Sequence, residues 1–148
     1  MATTVDAPRF QSPESVLNML RGEGLRISTV RRLVVSSLFA AGEPVSAEEL
    51  AGGGAAPLDL ASVYRNLDTL EKAGVVQRLQ AGEGPARYAL AGSDEREYLA
   101  CGRCGELREA DPAQLDPARE EIRRRFGFEA DFTAVPVSGV CGRCLSGH

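Results

Sequence analysis

The sequence predicts an α+β chain in two parts, and two observations carry that expectation. Residues 1–90 hold helix-patterned segments that end in two short β-like runs around a Gly-Pro turn. Residues 91–148 hold strand and helix patterns bracketed by "CGRC" at Cys101–Cys104 and "CGRC" again at Cys141–Cys144, the only cysteines of the chain. At 148 residues there is room for one ordinary domain or two small ones. An apolar content of 43% with 26% charged residues is that of a folded chain.

The N-terminal part is read element by element. Residues 1–12 are weakly patterned. In "PESVLNMLRGEGL", Val16, Leu17 and Leu20 fall on one helical face, and Gly22 and Gly24 end the helix. "STVRRLVVSSLFAAG" opens with Ser28 or Thr29 as cap, has Val30, Leu33, Val34, Leu38 and Ala41 as its apolar stripe, and stops at Gly42. "VSAEEL" reads as a capping box in which Ser46 accepts from the Glu49 amide and Glu49 reaches back. The glycines of "AGGGAAP" keep that helix short.

A fourth helix, "LASVYRNLDTLEKAG", follows Asp59 as cap. Leu60, Val63, Leu67 and Leu70 point one way, and Ser62, Arg65, Asn66 and Thr69 the other, with Gly74 at the end. Val75–Leu79 and Arg87–Leu90 then form a hairpin. Helices followed by a hairpin are the order of a winged helix-turn-helix domain, whose second motif helix enters the major groove of DNA.

After the polar linker "AGSDERE", the C-terminal part reads as strand (Tyr98–Cys101), strand (Leu107–Glu109), helix (Pro117–Phe126, capped by Asp116) and strand (Phe132–Val140). Pro136 in that last strand favours an edge. A half of this size needs a metal or a partner to be stable.

The cysteines supply a site for the metal. Two Cys-x-x-Cys knuckles offer four thiolates in a tetrahedron, the arrangement of structural zinc, with no coordination position left for a substrate. The intervening residues 105–140 are longer than in a common zinc ribbon but suffice for strand, helix and strand. Disulfides do not suit a reducing compartment, and a thioredoxin-type Cys-x-x-Cys occurs once.

Charge is less decisive. The net charge of -4 argues mildly against nucleic acid, yet Arg21, Arg26, Arg31 and Arg32 cluster against Glu23 alone. A solvated helix face explains such a cluster equally well. No apolar run approaches the ~20 residues of a membrane span, and "MATTVDAPRF" is not a secretory signal. The expected compartment is the cytoplasm, with no membrane partner.

"GLRIS..R", "LASVYRNLDTLEKAGVV", "GPARYAL" and "CGRCGELREAD" with the returning "CGRC" together resemble the Fur family of metal-responsive repressors, from about Ser15 to Cys144. Its zinc-uptake-regulator branch is the nearest subclass. The resemblance implies a homodimeric transcription regulator, not an enzyme. A winged-helix DNA-binding domain would occupy residues 1–90, and a dimerisation domain with one structural zinc per chain residues 91–148. The dimer would bind a palindromic operator in double-stranded DNA. Tyr64 and Arg65 match the family's DNA-contacting positions, with Arg31 at the start of the second helix; Ser62, Thr69, Arg26 and the wing residue Arg87 are further candidates. Arg65 can pair with guanine or phosphate and Tyr64 can pack on a thymine methyl, although Tyr64 beside the apolar stripe also fits a core aromatic.

One departure stands out. Family members carry a histidine-rich run before the first cysteine, and here that run is "SDEREYLAC". Glu95 and Glu97 stand where ligands would be, Arg96 stands between them, Tyr98 replaces a usual histidine, and Thr133 occupies a later histidine position. With Glu109 and Asp116 they leave an oxygen set for a second, regulatory metal, suited to manganese or magnesium rather than to zinc, iron or nickel. Solvated linker charges are the competing reading of Glu95 and Glu97, and His148 is the only histidine. Two alternatives remain for signalling. Either Glu–Arg pairs replace the sensed metal, or oxidation of the cysteines with zinc release is the signal. A thiol–disulfide enzyme is the rival class, and the doubled pair argues against it.

Overall fold

A computed structural model of the chain describes residues 10–53, 57–80, 82–91, 97–132 and 135–147. The chain divides into two compact units, Met1–Leu79 with Ala86–Asp94 and Gln80–Pro85 with Glu95–His148.

The first unit begins with α1 (Pro13–Gly22) and α2 (Thr29–Ala41). Ser12 and Ser28 cap them by accepting from the amides of Ser15 and Arg31. Val16, Leu17 and Leu20 of α1 are fully buried, and so are Val34 and Val35 of α2. The expected α2 stripe is corrected at one position. Leu33 is exposed and Val35 takes its place, so the buried face is rotated by part of a turn.

A two-residue strand, β1 (Val45–Ser46), leads into α3 (Ala47–Gly52). The Ser46 hydroxyl accepts from the Glu49 amide at 3.1 Å. The return half of the expected box does not form. The Glu49 carboxylate instead stands 3.9 Å from the Arg87 guanidinium, a charged partner that outcompetes a neutral amide. α4 (Leu60–Lys72) starts at its Asp59 cap. Val63, Leu67 and Leu70 are fully buried and join α1 and α2 in one core. Leu60, expected on that face, is exposed at the first helical position, and Asn66, expected outside, is buried.

β2 (Val76–Leu79) and β3 (Arg87–Leu90) form the hairpin, with Val76 opposite Leu90. β1 adds to β3 through Val45 opposite Tyr88, which completes a sheet of order β1-β3-β2.

The second unit holds β4 (Glu97–Cys101), β5 (Leu107–Ala110), α5 (Pro112–Phe126), β6 (Val137–Gly139) and α6 (Gly142–Leu145). Its sheet has the order β5-β4-β6, antiparallel between β4 and β5 and parallel between β4 and β6. α5 begins five residues before the expected start. Asp111 caps it, accepting from Ala113 while Gln114 accepts from the Asp111 amide, and Pro112 fills the first turn. Asp116 is therefore not a cap, and Pro117 lies inside the helix, where its missing N–H removes a single hydrogen bond. The last strand is also shorter than expected. It covers Val137–Gly139 at the sheet edge, and Pro136 lies just outside it, where no ladder bond is asked of it.

Candidate metal centre and nucleic-acid interface

The cysteines come from two chain turns on one end of the β4-β6 pair. Cys101 ends β4. The chain then reverses through Gly105, whose φ of 78° is the left-handed region that glycine enters freely, and the Gly105 amide donates to the Cys101 carbonyl at 3.0 Å. Cys141 follows β6 and opens α6, which carries Cys144. The parallel register sets Cys101 opposite Gly139, and the Gly102 amide donates to the Gly139 carbonyl at 2.9 Å.

All four sulfurs lie within 4.8 Å of one another. Cys101 and Cys144 are 3.9 Å apart, and Cys104 and Cys141 are 3.7 Å apart. A tetrahedron with metal–thiolate bonds of about 2.3 Å has edges of about 3.8 Å, so the cage fits a four-coordinate metal ion. Two basic side chains brace it. Arg103 donates to the Cys144 carbonyl at 3.2 Å, and Arg143 lies 3.9 Å from Glu106.

The cage also polarises its own thiols. Backbone N–H groups of Cys104 and then Cys141 hold the Cys101 thiol down at about 6, and the Cys141 amide lies 3.3 Å from the Cys101 sulfur. The hydrogen bond with Cys141, followed by burial, pushes Cys144 up to about 12. Sulfurs this close cannot all carry negative charge unless a cation lies between them.

The second arrangement lies in the first unit. α4 buries Val63, Leu67 and Leu70 and turns Tyr64 and Arg65 outward, Tyr64 at 41% exposure. Tyr64 is thus not a core aromatic. Its hydroxyl donates to Glu48 at 3.1 Å, and that bond raises its pKa above the usual tyrosine value. Arg65 donates to the Ser62 hydroxyl at 3.0 Å, and Thr69 bonds back to the Arg65 carbonyl. Arg31, half-buried at the start of α2, is brought to α4 through Asn66, whose Oδ1 accepts from its Nε at 2.9 Å. Its Nη1 donates to the Arg26 carbonyl at 2.6 Å. Arg31, Ser62 and Arg65 are thereby linked along one face of α4. Arg26 contributes backbone to this group, with its own side chain exposed, and Arg87 is engaged with Glu49 on β3.

The third arrangement is acidic. Glu97, the first residue of β4, is 3% exposed, and its carboxylate accepts from Arg119 Nη1 at 2.5 Å. Asp116 accepts from the same guanidinium at 2.5 Å from Nη2 and 3.1 Å from Nε. Arg119 is held above its ordinary pKa first by that bond to Asp116.

The model of the Ferric uptake regulator family matches residues 22–137.

The chain belongs to the ferric uptake regulator family.

It is 31% identical over 137 residues to the ferric uptake regulation protein of Neisseria meningitidis serogroup C, covering 88% of this chain and 93% of that one. The structure of the Helicobacter pylori ferric uptake regulator Fur, described as having three functional metal binding sites, superposes with a TM-score of 0.68 at 26% identity. It covers 93% of this chain and 96% of that one. The Pseudomonas aeruginosa regulator, solved with manganese, gives 0.63 at 28% identity over 85% and 97%. The Fur family is one of transcription regulators and not of enzymes. No helix among the described residues is long and apolar enough to cross a membrane.

Set against these features, the expected second ligand set of this Fur-family chain is only partly brought together. Glu97 and Asp116 meet, but around Arg119. Glu97 is buried, so it is not a solvated linker charge. Glu109 pairs opposite Tyr98 while Glu97 pairs opposite Ala110, so alternation sends Glu109 to the other face of the sheet. Glu95, with Arg96, Thr133 and His148, lies outside the described residues. Among the described residues the four cysteines are the one cluster able to hold a metal. Sequence reasoning missed Asn66 and Arg119 as site residues. The only local signal for Arg119 is its i,i+3 spacing from Asp116.

Proposed function

We propose that this chain is a DNA-binding transcriptional regulator that occupies a palindromic operator as a homodimer and represses by that occupancy. α4 is its major-groove helix, with Tyr64 and Arg65 at the bases and Arg31, Arg26, Ser62, Thr69 and Arg87 at bases or phosphates. The observation that carries this reading is the division of α4 between a fully buried face and an outward face bearing Tyr64 and Arg65, with Arg31 tied to it. Residues 1–90 form the DNA-binding domain and residues 91–148 the dimerisation domain.

The C-terminal unit supports a dimer through what it leaves uncovered. α5 has no buried residue, and Phe126, Phe128, Val135 and Leu145 are all exposed. Apolar side chains in that number call for a partner surface, and a second copy related by two-fold symmetry supplies one. The ion at Cys101, Cys104, Cys141 and Cys144 is zinc. Four thiolates suit it, leave it no open position, and give it a structural role. When bound, it neutralises the thiolates and ties the end of β4 to the turn after β6.

The test is selection of DNA from a random pool by the purified protein, followed by binding titrations. Recovery of a palindromic site bound by two chains, with affinity lost in Tyr64→Ala and Arg65→Ala, is the expected result. Recovery of no sequence, or binding indifferent to both substitutions, would overturn the reading.

A further inference from the structure

Glu97 sets the problem. A carboxylate that is 3% exposed needs a cation to offset its lost hydration. Its Oε2 has no hydrogen-bond partner among the described residues, so the compensation falls on what meets Oε1. That group is Arg119, whose side chain is 22% exposed. The guanidinium is held on every side. Nη1 donates to Glu97, Nη2 to the Pro112 carbonyl at 2.5 Å and to Asp116, and Nε again to Asp116, while Phe132 presents its ring 5.6 Å from the guanidinium carbon.

The acceptors are three oxygens, from the start of β4 and the first two turns of α5. Converging hard oxygens of this kind are what a divalent cation such as Mn2+ takes. Here the place is filled by a planar, permanently charged group whose fork matches carboxylate geometry. It is covalently attached, so it cannot dissociate into solvent as an ion does. An incoming ion must displace it and leave its charge without partners. The residues present therefore do not fit the second, regulatory metal that the family resemblance implies.

We propose that Arg119 is the built-in cation of the Glu97–Asp116 pocket, so that this chain binds metal at its four cysteines and does not sense a divalent ion here. The cross-link between β4 and α5 that such an ion would make is made permanently by the side chain. The inference goes beyond the DNA-binding reading and does not depend on it. Failure to find an operator leaves the metal count unchanged.

The test is a titration of Mn2+ into full-length protein with its cysteine metal retained, following the free ion by electron paramagnetic resonance. Total metal per chain is measured alongside. Mn2+ competes poorly for thiolates, so it reports on oxygen sites. The wild type is expected to take up no Mn2+, and Arg119→Lys none. Arg119→Met, which keeps an apolar stem against Phe132, is expected to bind one equivalent at least tenfold more tightly than any wild-type uptake, and Arg119→Met/Glu97→Gln to lose it. Saturable uptake by the wild type that Glu97→Gln abolishes would overturn the proposal. So would an Arg119→Met protein that keeps its cysteine metal and takes up no Mn2+. If Arg119→Met does not fold, the wild type alone decides, since its uptake or refusal of Mn2+ at the Glu97 site needs no variant.

Discussion

Asn66 joins Arg31 to α4. Its side-chain oxygen accepts from Arg31 Nε at 2.9 Å, and its amide nitrogen donates to the Ser62 carbonyl at 2.8 Å. An arginine on α2 is thereby fixed in direction by a buried amide one turn past Ser62 on α4.

Asn66→Ala is expected to weaken operator binding by freeing Arg31, at about 1 kcal/mol or somewhat more. Arg31→Ala should cost about 1–3 kcal/mol if it reads a base, or reduce the salt slope of binding by about one if it holds a phosphate. Because both changes act through one guanidinium, the double variant should be no worse than Arg31→Ala. Titrations across salt concentrations measure all three, and additive losses would separate Asn66 from Arg31.

Removal of one sulfur should undo the C-terminal unit and spare the core of the first. Cys104→Ser, or exhaustive chelation, is expected to release the metal and to abolish dimer formation in sedimentation. The helical signal carried by α1, α2 and α4 should largely remain. Structural zinc supplies folding free energy outright in small domains, on the order of 10 kcal/mol, far more than this small sheet supplies without it.

Metal affinity should rise with pH, because each ligand must shed its proton. Because loss of the ion undoes the unit that forms the cage, protons compete for the thiolates at ordinary thiol values, roughly 8.5, and affinity should fall steeply as pH drops below that. A competition titration with a chromophoric chelator at several pH values reads the slope, and an affinity independent of pH would contradict thiolate ligation.

Stability should distinguish the two carboxylate partners of Arg119. Arg119→Ala leaves Glu97 charged and buried, and breaking such a pair costs about 3–5 kcal/mol. Asp116, with 69% of its side chain exposed, is worth less than about 1 kcal/mol to the fold on removal. Urea denaturation of the three proteins measures the order. Equal losses would mean that burial of Glu97 is not what Arg119 offsets.

Much of this was legible in the sequence where the signals are local. The apolar spacing and caps of α1, α2 and α4 place them within a residue or two, and Gly-Pro between Val76–Leu79 and Arg87–Leu90 marks the hairpin. The paired "CGRC" motifs indicate the cage because ligand spacing is itself a geometric statement. Asp116-Pro117 imitates a cap and first turn and so hides the true start of α5, where Asp111-Pro112 with Gln114 offers a complete box upstream. The Glu97–Arg119 pair spans 22 positions and two elements, and no local pattern announces it. Asn66 is polar by type and buried by position, and only the approach of Arg31 explains it.

The parallel pairing of β4 with β6 has a kinetic consequence. Leu99 meets Val137 and Cys101 meets Gly139 only after the chain between them, α5 included, has closed a loop of that length. Loop closure of this kind sets a slow step, but α4 meets α2 across a comparable separation, as Arg31 to Asn66 shows, so it is the need for a metal ion that sets the two halves apart. The two halves of the molecule should therefore mature on different clocks. The N-terminal half forms first, unaided, and the C-terminal half waits until its last knuckle arrives and a metal ion is delivered to hold the ends together. In a cell short of that ion, the chain would accumulate half-made, with the strand edge of β4 still open.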